Sequence, residues 1–334
     1  MIFSIGRLQL NQRHQLSHEQ IDALLGESMA EHFPGERALM LGRLHGLMTA
    51  ADALEAAGVG FIVLKGFPLS QKLYDNPCVR ITGDLDLLIK PCMIGNAIGA
   101  LSELGYIPAY EPWPDSKKKA DKMIRFRNQF AMKHPESGLI AELHWRLFYY
   151  PVLPAARLYA LVKDNLSSIS ISGRSFVVLN NEMELIYLVI HGGLHGYSRL
   201  KWLVDVFRYA SHVNFSDNRF LELAKGFKAG RMIGLYNRLI KDWPGEAKPL
   251  PGECKNLSFL EKNALKVIFS GHDTSFQTPG SLLRYFLNVI SAFPGIGYKW
   301  RMLVYSWKSL WFRRTGRQRL LEPKRLFSNF IRLR

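Results

Sequence analysis

Apolar positions recur every three or four residues between residues 37 and 57, which predicts an amphipathic helix. After that helix the spacing changes, because four apolar residues follow one another from Phe61 to Leu64. A short apolar run of this kind is typical of a buried strand. Gly58 and Gly66 are predicted to end the helix and the strand respectively. The apolar positions of the helix are Met40, Leu44, Leu47, Ala51 and Leu54.

Helices and strands are predicted to continue alternating as far as residue 150. A helix begins near Pro68, where the missing N–H is tolerated, and a strand ends at Pro91. Another helix covers about residues 93–104. The sequence "MIRFRNQFAMKHPESGLIAELHWRLFYY" then predicts a β-hairpin, with its turn at Pro-Glu-Ser-Gly, residues 135–138.

Longer helical patterns follow residue 150, at residues 153–164, 182–196 and 199–212. The change of pattern predicts a domain boundary near residue 150. The sequence shows no internal repeat. The predicted segments are an N-terminal helical extension (1–35), a core of strands and helices (36–150), a helical domain (151–298) and a basic, aromatic C-terminal tail (299–334).

The chain is strongly basic, with 44 Lys and Arg against 28 Asp and Glu and a formal net charge of +16. Eleven of the basic residues and one acid lie in the last 36 residues, interleaved with tryptophans. A positive surface favours an anionic partner. The tail has three interpretations, which are a packed helical cap with a solvated basic face, an RNA-binding segment and an amphipathic segment on anionic lipid.

Cysteine usage and hydropathy narrow the location of the protein. The three cysteines, Cys78, Cys92 and Cys254, are widely spaced, which disfavours a disulfide framework or a thiolate zinc site. The sequence contains no uninterrupted run of about 18 apolar residues, so no membrane-spanning helix is predicted. No signal peptide is recognised at the N-terminus. The sequence therefore predicts a cytoplasmic protein without a transmembrane segment.

Two acids stand one residue apart in "VRITGDLDLLIKP", residues 79–91. On a strand, Asp84 and Asp86 project from the same face, while Leu85, Leu87 and Ile89 project from the other. Two neighbouring carboxylates repel each other and are costly to bury without a cation. The pair fits a Mg²⁺ site that bridges to phosphates. The alternative is a solvated pair at the edge of a strand.

A third acid, Glu142, lies among apolar residues in the second strand of the predicted hairpin. It is a candidate third ligand of a two-metal site, although Arg125 or Arg127 across the hairpin could instead be its ion-pair partner. His144 shares the face of Glu142 by the same two-residue spacing. We interpret His144 as a residue of the packed core.

Several separated blocks of the sequence resemble the uncharacterised nucleotidyltransferase family of the DNA polymerase β-like superfamily. The first block is "FIVLKGFPLSQKLYDNPCVRITGDLDLLI", which contains the Leu-Lys-Gly turn and the Arg-x-x-Gly-Asp-x-Asp pattern of that family. The blocks "AELHWRL" and "HGGLHGYSRLKWLVDV" follow in the order and at the spacing of the family. The resemblance covers about residues 40–210.

The resemblance implies an α+β fold, with a polymerase β-like core of mixed sheet and helices and a helical C-terminal domain that closes a nucleotide cleft. It implies an enzyme that uses Mg²⁺ or Mn²⁺ to transfer NMP from an NTP to an acceptor hydroxyl. In this interpretation Asp84, Asp86 and Glu142 are catalytic and hold the metal. Glu142 is also the candidate base. The acceptor is not identified by the sequence and includes small metabolites, sugars and peptide products.

The nucleotide-binding residues implied by the resemblance are Lys65, Gly66, Arg80, Gly83 and Lys201. Lys65-Gly66 replaces the Gly-Ser turn of better-known superfamily members, so a positive charge stands where they have a hydroxyl. Arg80 is a candidate phosphate clamp, with a surface loop arginine as the alternative. Lys201 is four residues from Asp205, so the two side chains could form only a pair on a helix surface.

His191 and His195 lie four residues apart on a predicted helix and could share a zinc ion, but two ligands do not make a site. Packing or a nucleotide contact is the favoured interpretation. Two other functions stay open at this point. One is a toxin-like enzyme that modifies tRNA or another RNA, and the other is a catalytically silent nucleotide-binding scaffold.

Overall fold

The structure is a computed structural model. It describes residues 5–149, 152–153, 155–241, 243, 248–252, 257–270 and 279–304. Most of the predicted basic tail, residues 305–334, lies outside the described residues. Among the described residues, no helix is both long enough and apolar enough to cross a bilayer.

The chain forms two compact units, which we call the sheet unit and the helical unit. The sheet unit comprises residues 32–149 and 159–180, and the helical unit comprises residues 1–31, 150–158 and 181–334. The helices of the described residues are α1 (Arg7–Gln12), α2 (His18–Leu25), α3 (Pro34–Ala56), α4 (Gly66–Tyr74), α5 (Ile94–Glu103), α6 (Lys117–Phe126), α7 (Ala155–Lys163), α8 (Asn181–Leu194), α9 (Leu200–His212), α10 (Asp217–Phe227), α11 (Gly230–Leu239), α12 (Ser258–Ile268) and α13 (Pro279–Ala292).

A mixed five-stranded sheet forms the centre of the sheet unit. Its order is β1-β2-β5-β4-β3, and β2 pairs parallel to β5 while the other neighbours are antiparallel. The strands are β1 (Phe61–Leu64), β2 (Asp84–Ile89), β3 (Ile107–Pro108), β4 (Gln129–Lys133) and β5 (Ile140–His144). The predicted mixed sheet with packed helices and the C-terminal helices are therefore confirmed. The four-segment division of the chain stays a prediction.

A second sheet, not predicted from the sequence, belongs to the same unit. It is an antiparallel hairpin of β6 (Leu166–Ile171) and β7 (Arg174–Leu179). Its turn residues Ser172 and Gly173 both have positive φ, 50° and 81°, which suits a tight hairpin turn. Arg174 anchors the hairpin to α3 by ion pairs with Asp52 and Glu55.

One face of the five-stranded sheet is buried against α3 and α5. The side chains that β2 and β5 contribute to this core include Leu85, Leu87, Ala141 and Leu143, all almost fully buried. Because side chains alternate along a strand, the intervening residues of β2 and β5 project from the opposite face. That opposite face carries the acids.

The helical unit is built around α8. Most of its residues from Met183 to Leu194 are buried, so this helix is apolar on nearly all sides, as expected for a central helix. It packs against α9, α10, α11 and α13.

The packing of α3 on the sheet predicts opposite effects for two glycines of that helix. A Cβ at Gly46 would collide with Cδ2 of Leu139, whereas one at Gly42 would meet nothing within 4 Å. We expect Gly46→Ala to lower the free energy of unfolding by about 1 kcal/mol, because overpacking costs about 1–3 kcal/mol and the gain in helix propensity is at most about 1. Gly42→Ala should be neutral or stabilising. Urea unfolding of both variants tests the difference, and equal effects would contradict it.

Candidate active site

Asp84 and Asp86 lie on β2, which has hydrogen-bonded neighbours on both sides. Asp84 at the start of the strand is partly exposed, whereas the side chain of Asp86 is only 2% exposed. The solvated-pair interpretation is therefore wrong for Asp86. A carboxylate that is buried in a central strand must be compensated by positive charge or hydrogen bonds.

β5 brings Glu142 beside these acids. In the parallel pairing of β2 with β5, Asp86 lies opposite Glu142 and Asp84 lies opposite Ile140. Residues in register on neighbouring strands project from the same face. Asp86 and Glu142 therefore stand side by side on one face of the sheet.

His144 links Asp86, which is buried, to Glu142, which is partly exposed. Its Nε2 lies 2.9 Å from Oδ1 of Asp86 and 3.2 Å from Oε2 of Glu142. His144 is therefore a polar member of the site, and our interpretation of it as a packing residue is wrong. The two-residue spacing from Glu142 was the signal in the sequence that could have indicated this role. Arg127, the proposed alternative partner of Glu142, pairs with Glu111.

Lys65 provides a second positive charge. Its Nζ lies 3.1 Å from Oδ2 of Asp86, so His144 and Lys65 each occupy one oxygen of the same carboxylate. Lys65 lies between β1 and α4 with φ 42° and ψ −141°, a conformation that is costly for a residue with a Cβ. The neighbouring Gly66 also has positive φ, 58°. This turn directs the lysine side chain at the acidic face.

Burial and charge shift the pKa values of the three linked side chains. Burial raises the pKa of Asp86, but Lys65 and His144 outweigh it and lower that pKa to about 2. Burial opposes the charged form of His144, yet its bonds to Asp86 and Glu142 raise its pKa to about 9. Burial raises the pKa of Glu142, and the nearby charges of Asp84 and Asp86 raise it further. At neutral pH, His144 is therefore an imidazolium that bridges two acids.

The loop before β2 is held by residues from α3 and α4. Arg43 of α3 donates from a guanidinium nitrogen to the carbonyl of Thr82 at 2.6 Å, and a Cβ at Gly66 would lie 3.3 Å from Cγ2 of Thr82. Burial lowers the pKa of Arg43, and the charge of Asp84 opposes that shift. Arg43 was not identified from the sequence, because no local pattern connects it to β2.

Arg80, in the same loop, is only 3% exposed, so the surface-arginine alternative is wrong. Its backbone N–H donates to Oγ of Ser70, and its guanidinium donates to the carbonyl of Ile81 at 3.4 Å. Gly83 follows in the chain and leads directly into Asp84. The loop thus joins Arg80 to β2, the strand that carries Asp84 and Asp86.

Tyr110 is an exposed residue whose pKa is affected by two of the acids. This side chain is 51% exposed, and its pKa is raised by burial and then by the charges of Glu142 and Asp84. Electrostatic influence of this kind requires proximity. An exposed aromatic ring therefore lies near the carboxylates, which the sequence did not predict.

The remaining candidates belong to the helical unit. His191 and His195 stack near each other with ring centroids 5.0 Å apart, and both contact Trp202. Within the described part of the chain, the two histidines belong to no group of three metal-binding side chains. Lys201 and Asp205 are both buried, so the interpretation of them as a surface pair is wrong.

Comparison with known proteins supports the resemblance found in the sequence. Residues 13–245, more than half of the 334 residues, match the family described as uncharacterised nucleotidyltransferase. Among solved structures, the chain is similar to an antigenic nucleotidyltransferase-like protein from Paracoccidioides brasiliensis. Their identity is 13%, over 64% of this chain and 94% of that chain, with a TM-score of 0.36. No curated protein matches the sequence.

Proposed function

The chain belongs to the uncharacterised nucleotidyltransferase family, and we propose that it transfers NMP from an NTP to a hydroxyl group of an acceptor. The observation that carries this proposal is the register of β2 with β5, which sets Asp86 opposite Glu142. Together with Asp84, these residues place three carboxylates on one face of the sheet. Phosphoryl transfer depends on such groups, because metal ions held by carboxylates stabilise the charge of the transferring phosphate.

The acidic face fits a divalent cation. Asp86 and Glu142 offer ligand atoms within 4.8 Å of each other, and burial, followed by the charges of Asp84 and Asp86, raises the pKa of Glu142. Asp84, Asp86 and Glu142 are the residues that would hold Mg²⁺ or Mn²⁺, since both ions accept carboxylate oxygens. When bound, the ion supplies Lewis-acid stabilisation of the charge on the phosphate oxygens.

The NTP is proposed to lie along the turn between β1 and α4. The N-terminus of α4 offers backbone N–H groups to phosphate, and Gly66 allows a phosphate to approach closely. Lys65 contributes its positive charge there. Arg80 and Gly83 are proposed phosphate contacts from the loop before β2.

Glu142 is the proposed general base. Its carboxylate lies on the face that carries Asp86 and, when ionised, can accept the proton of the acceptor hydroxyl. The acceptor oxygen then forms a bond to the α-phosphorus, while the bond from that phosphorus to the oxygen bridging to the β-phosphate breaks. Pyrophosphate leaves with that electron pair. Lys65 would stabilise the negative charge of the triphosphate during this step.

Transfer of a labelled nucleotide tests the proposal. We expect the full chain, incubated with each α-³²P-labelled NTP, Mg²⁺ or Mn²⁺ and cell extract or total RNA, to transfer label to an acceptor. Glu142→Gln should lower the rate by about a hundredfold or more, the effect typical of losing a general base. Glu136→Gln, an exposed acid in the turn of the same hairpin, is the matched control and should retain the rate.

The fraction that carries the label identifies the acceptor class. Label in small molecules or peptides agrees with the proposal as stated, whereas label in RNA would indicate the RNA-modifying alternative. Tight NTP binding without transfer to any fraction would contradict the proposal and indicate a silent nucleotide-binding protein. Equal transfer by wild type and Glu142→Gln would remove Glu142 from the mechanism.

A further inference from the structure

We propose that His144 is itself a metal ligand through Nε2, and that Asp86, Glu142 and His144 form a site that takes Mn²⁺ in preference to Mg²⁺. This inference rests on the proposed function, because it concerns the same acidic face. It adds a nitrogen ligand to a set so far described by its carboxylates. It also assigns the class of metal ion.

The spacing of the three atoms supports the assignment. Nε2 of His144 lies 2.9 Å from one carboxylate oxygen and 3.2 Å from the other, and the three residues offer ligand atoms that all lie within 4.8 Å of one another. Ligands on neighbouring corners around an ion with bonds of about 2.1 Å lie roughly 3 Å apart. The two distances from Nε2 are therefore those expected between adjacent ligands in one coordination shell.

The space between these atoms is a position for positive charge. Two carboxylate oxygens lie close to one imidazole nitrogen, so a positive charge placed among them is stabilised by both carboxylates. A divalent ion bound among the three atoms would supply that charge. The side chains of His144, Asp86 and Glu142 are 8%, 2% and 21% exposed, so solvent screens a charge among them only in part.

The backbone holds the donors in place. Glu142 and His144 are two residues apart on β5, and their partners in register, Asp86 and Leu88, lie on β2. Lys65 bonds Oδ2 of Asp86, which leaves Oδ1 as the oxygen facing His144. The site thus offers a fixed set of donors.

The chemistry of this set favours a transition ion. Mg²⁺ binds almost entirely through oxygen and keeps several waters, whereas imidazole suits first-row transition ions. Mn²⁺ accepts both carboxylate oxygen and imidazole nitrogen. Replacing one oxygen by a histidine nitrogen therefore shifts the preference towards Mn²⁺.

Pulsed electron paramagnetic resonance of bound Mn²⁺ tests the assignment. The full chain is produced with ¹⁴N- or ¹⁵N-histidine, freed of metal with a chelator, and loaded with Mn²⁺ alone. We expect nitrogen modulation of the Mn²⁺ echo that changes with the histidine isotope. The signal should persist in the control His45→Gln, an exposed histidine of α3 in the same unit, and disappear in His144→Gln and His144→Asn.

Affinity provides a second readout. His144→Gln should weaken Mn²⁺ binding by at least about tenfold, the lower end of the effect of changing groups that merely support a ligand. Mg²⁺ binding, measured by competition, should change less. Isotope labelling of the wild type does not depend on the variants, so the assignment can fail even if a variant unfolds.

The outcomes separate this inference from the proposed function. Mn²⁺ that binds without histidine modulation, or modulation that survives in both His144 variants, overturns the assignment of His144. If that binding is still lost in Asp86→Asn, the carboxylate site and the proposed function stand. If Mn²⁺ binding is unchanged in Asp86→Asn as well, both proposals fail.

Discussion

Replacing Asp86 by asparagine is expected to lower nucleotidyl transfer by about a thousandfold, since a bound metal contributes several kcal/mol and each 1.36 kcal/mol changes a rate about tenfold. Asn keeps the shape of the side chain but loses the charge that Lys65 and His144 compensate. The variant should remain folded at lower stability, because His144 can release its proton once the neighbouring charge is gone. Single-turnover transfer of labelled NMP measures the effect.

A matched control distinguishes the loss of a carboxylate in the site from the loss of a carboxylate elsewhere on the protein. Asp115 is an exposed acid that pairs with Lys119 on the surface of the same unit, so Asp115→Asn should transfer at the wild-type rate. Circular dichroism should show that both variants are folded. Transfer by Asp86→Asn within about tenfold of wild type would show that this carboxylate does not hold an essential metal.

The metal-free protein is expected to lose about 3 kcal/mol of unfolding free energy as the pH rises from about 6.5 to about 9. The reason is the folded-state pKa of His144, raised from 6.5 to about 9, since one pKa unit corresponds to about 1.4 kcal/mol. A histidine with a raised pKa contributes its full stabilisation below the unfolded value. That contribution is lost as pH rises through the folded value.

Urea unfolding between pH 6 and pH 9.5, in the presence of a chelator, measures this loss. His144→Gln should show little of the pH dependence, because glutamine does not titrate. Acid has a separate effect, since the lowered pKa of Asp86 provides stability that is lost as pH falls towards about 2. An equal loss between pH 6.5 and pH 9 in wild type and His144→Gln would contradict the role of His144.

Much of the sheet unit could be predicted from local patterns. The apolar run of β1, the strand that carries Asp84 and Asp86, and the hairpin of β4 and β5 all follow from side-chain alternation and turn residues. The same alternation places each acid on a particular face of its own strand. These predictions succeed because each depends on residues that are close in sequence.

The role of His144 depends on contacts that local patterns do not contain. His144 and Asp86 are 58 residues apart, and their bond exists because β2 pairs parallel to β5 in one register. The contact of Arg43 with Thr82 spans 39 residues in the same way. Strand order and register come from the packing of the whole unit, so a single sequence indicates the candidates but not their partners.

The hairpin of β6 and β7 was missed for a different reason. Its sequence does carry signals, since Ile169 and Ile171 alternate with serines and a Ser-Gly pair stands at the turn. Those signals are short and lie between strong helical patterns. The preference of these residues for a strand was weaker than the helical pattern of the residues on either side.

In the parallel pairing of β2 with β5, the burial of apolar side chains on one face determines which residues form the candidate active site on the other face. Ala141 and Leu143 are completely buried on the far side of β5, and a shift of that strand by one residue would turn them towards the acids and bury Glu142 in their place. Such a register shift would replace Glu142 on that face by the apolar side chain of Ala141 or Leu143. The apolar residues of β5 thus decide which face of the sheet carries Glu142.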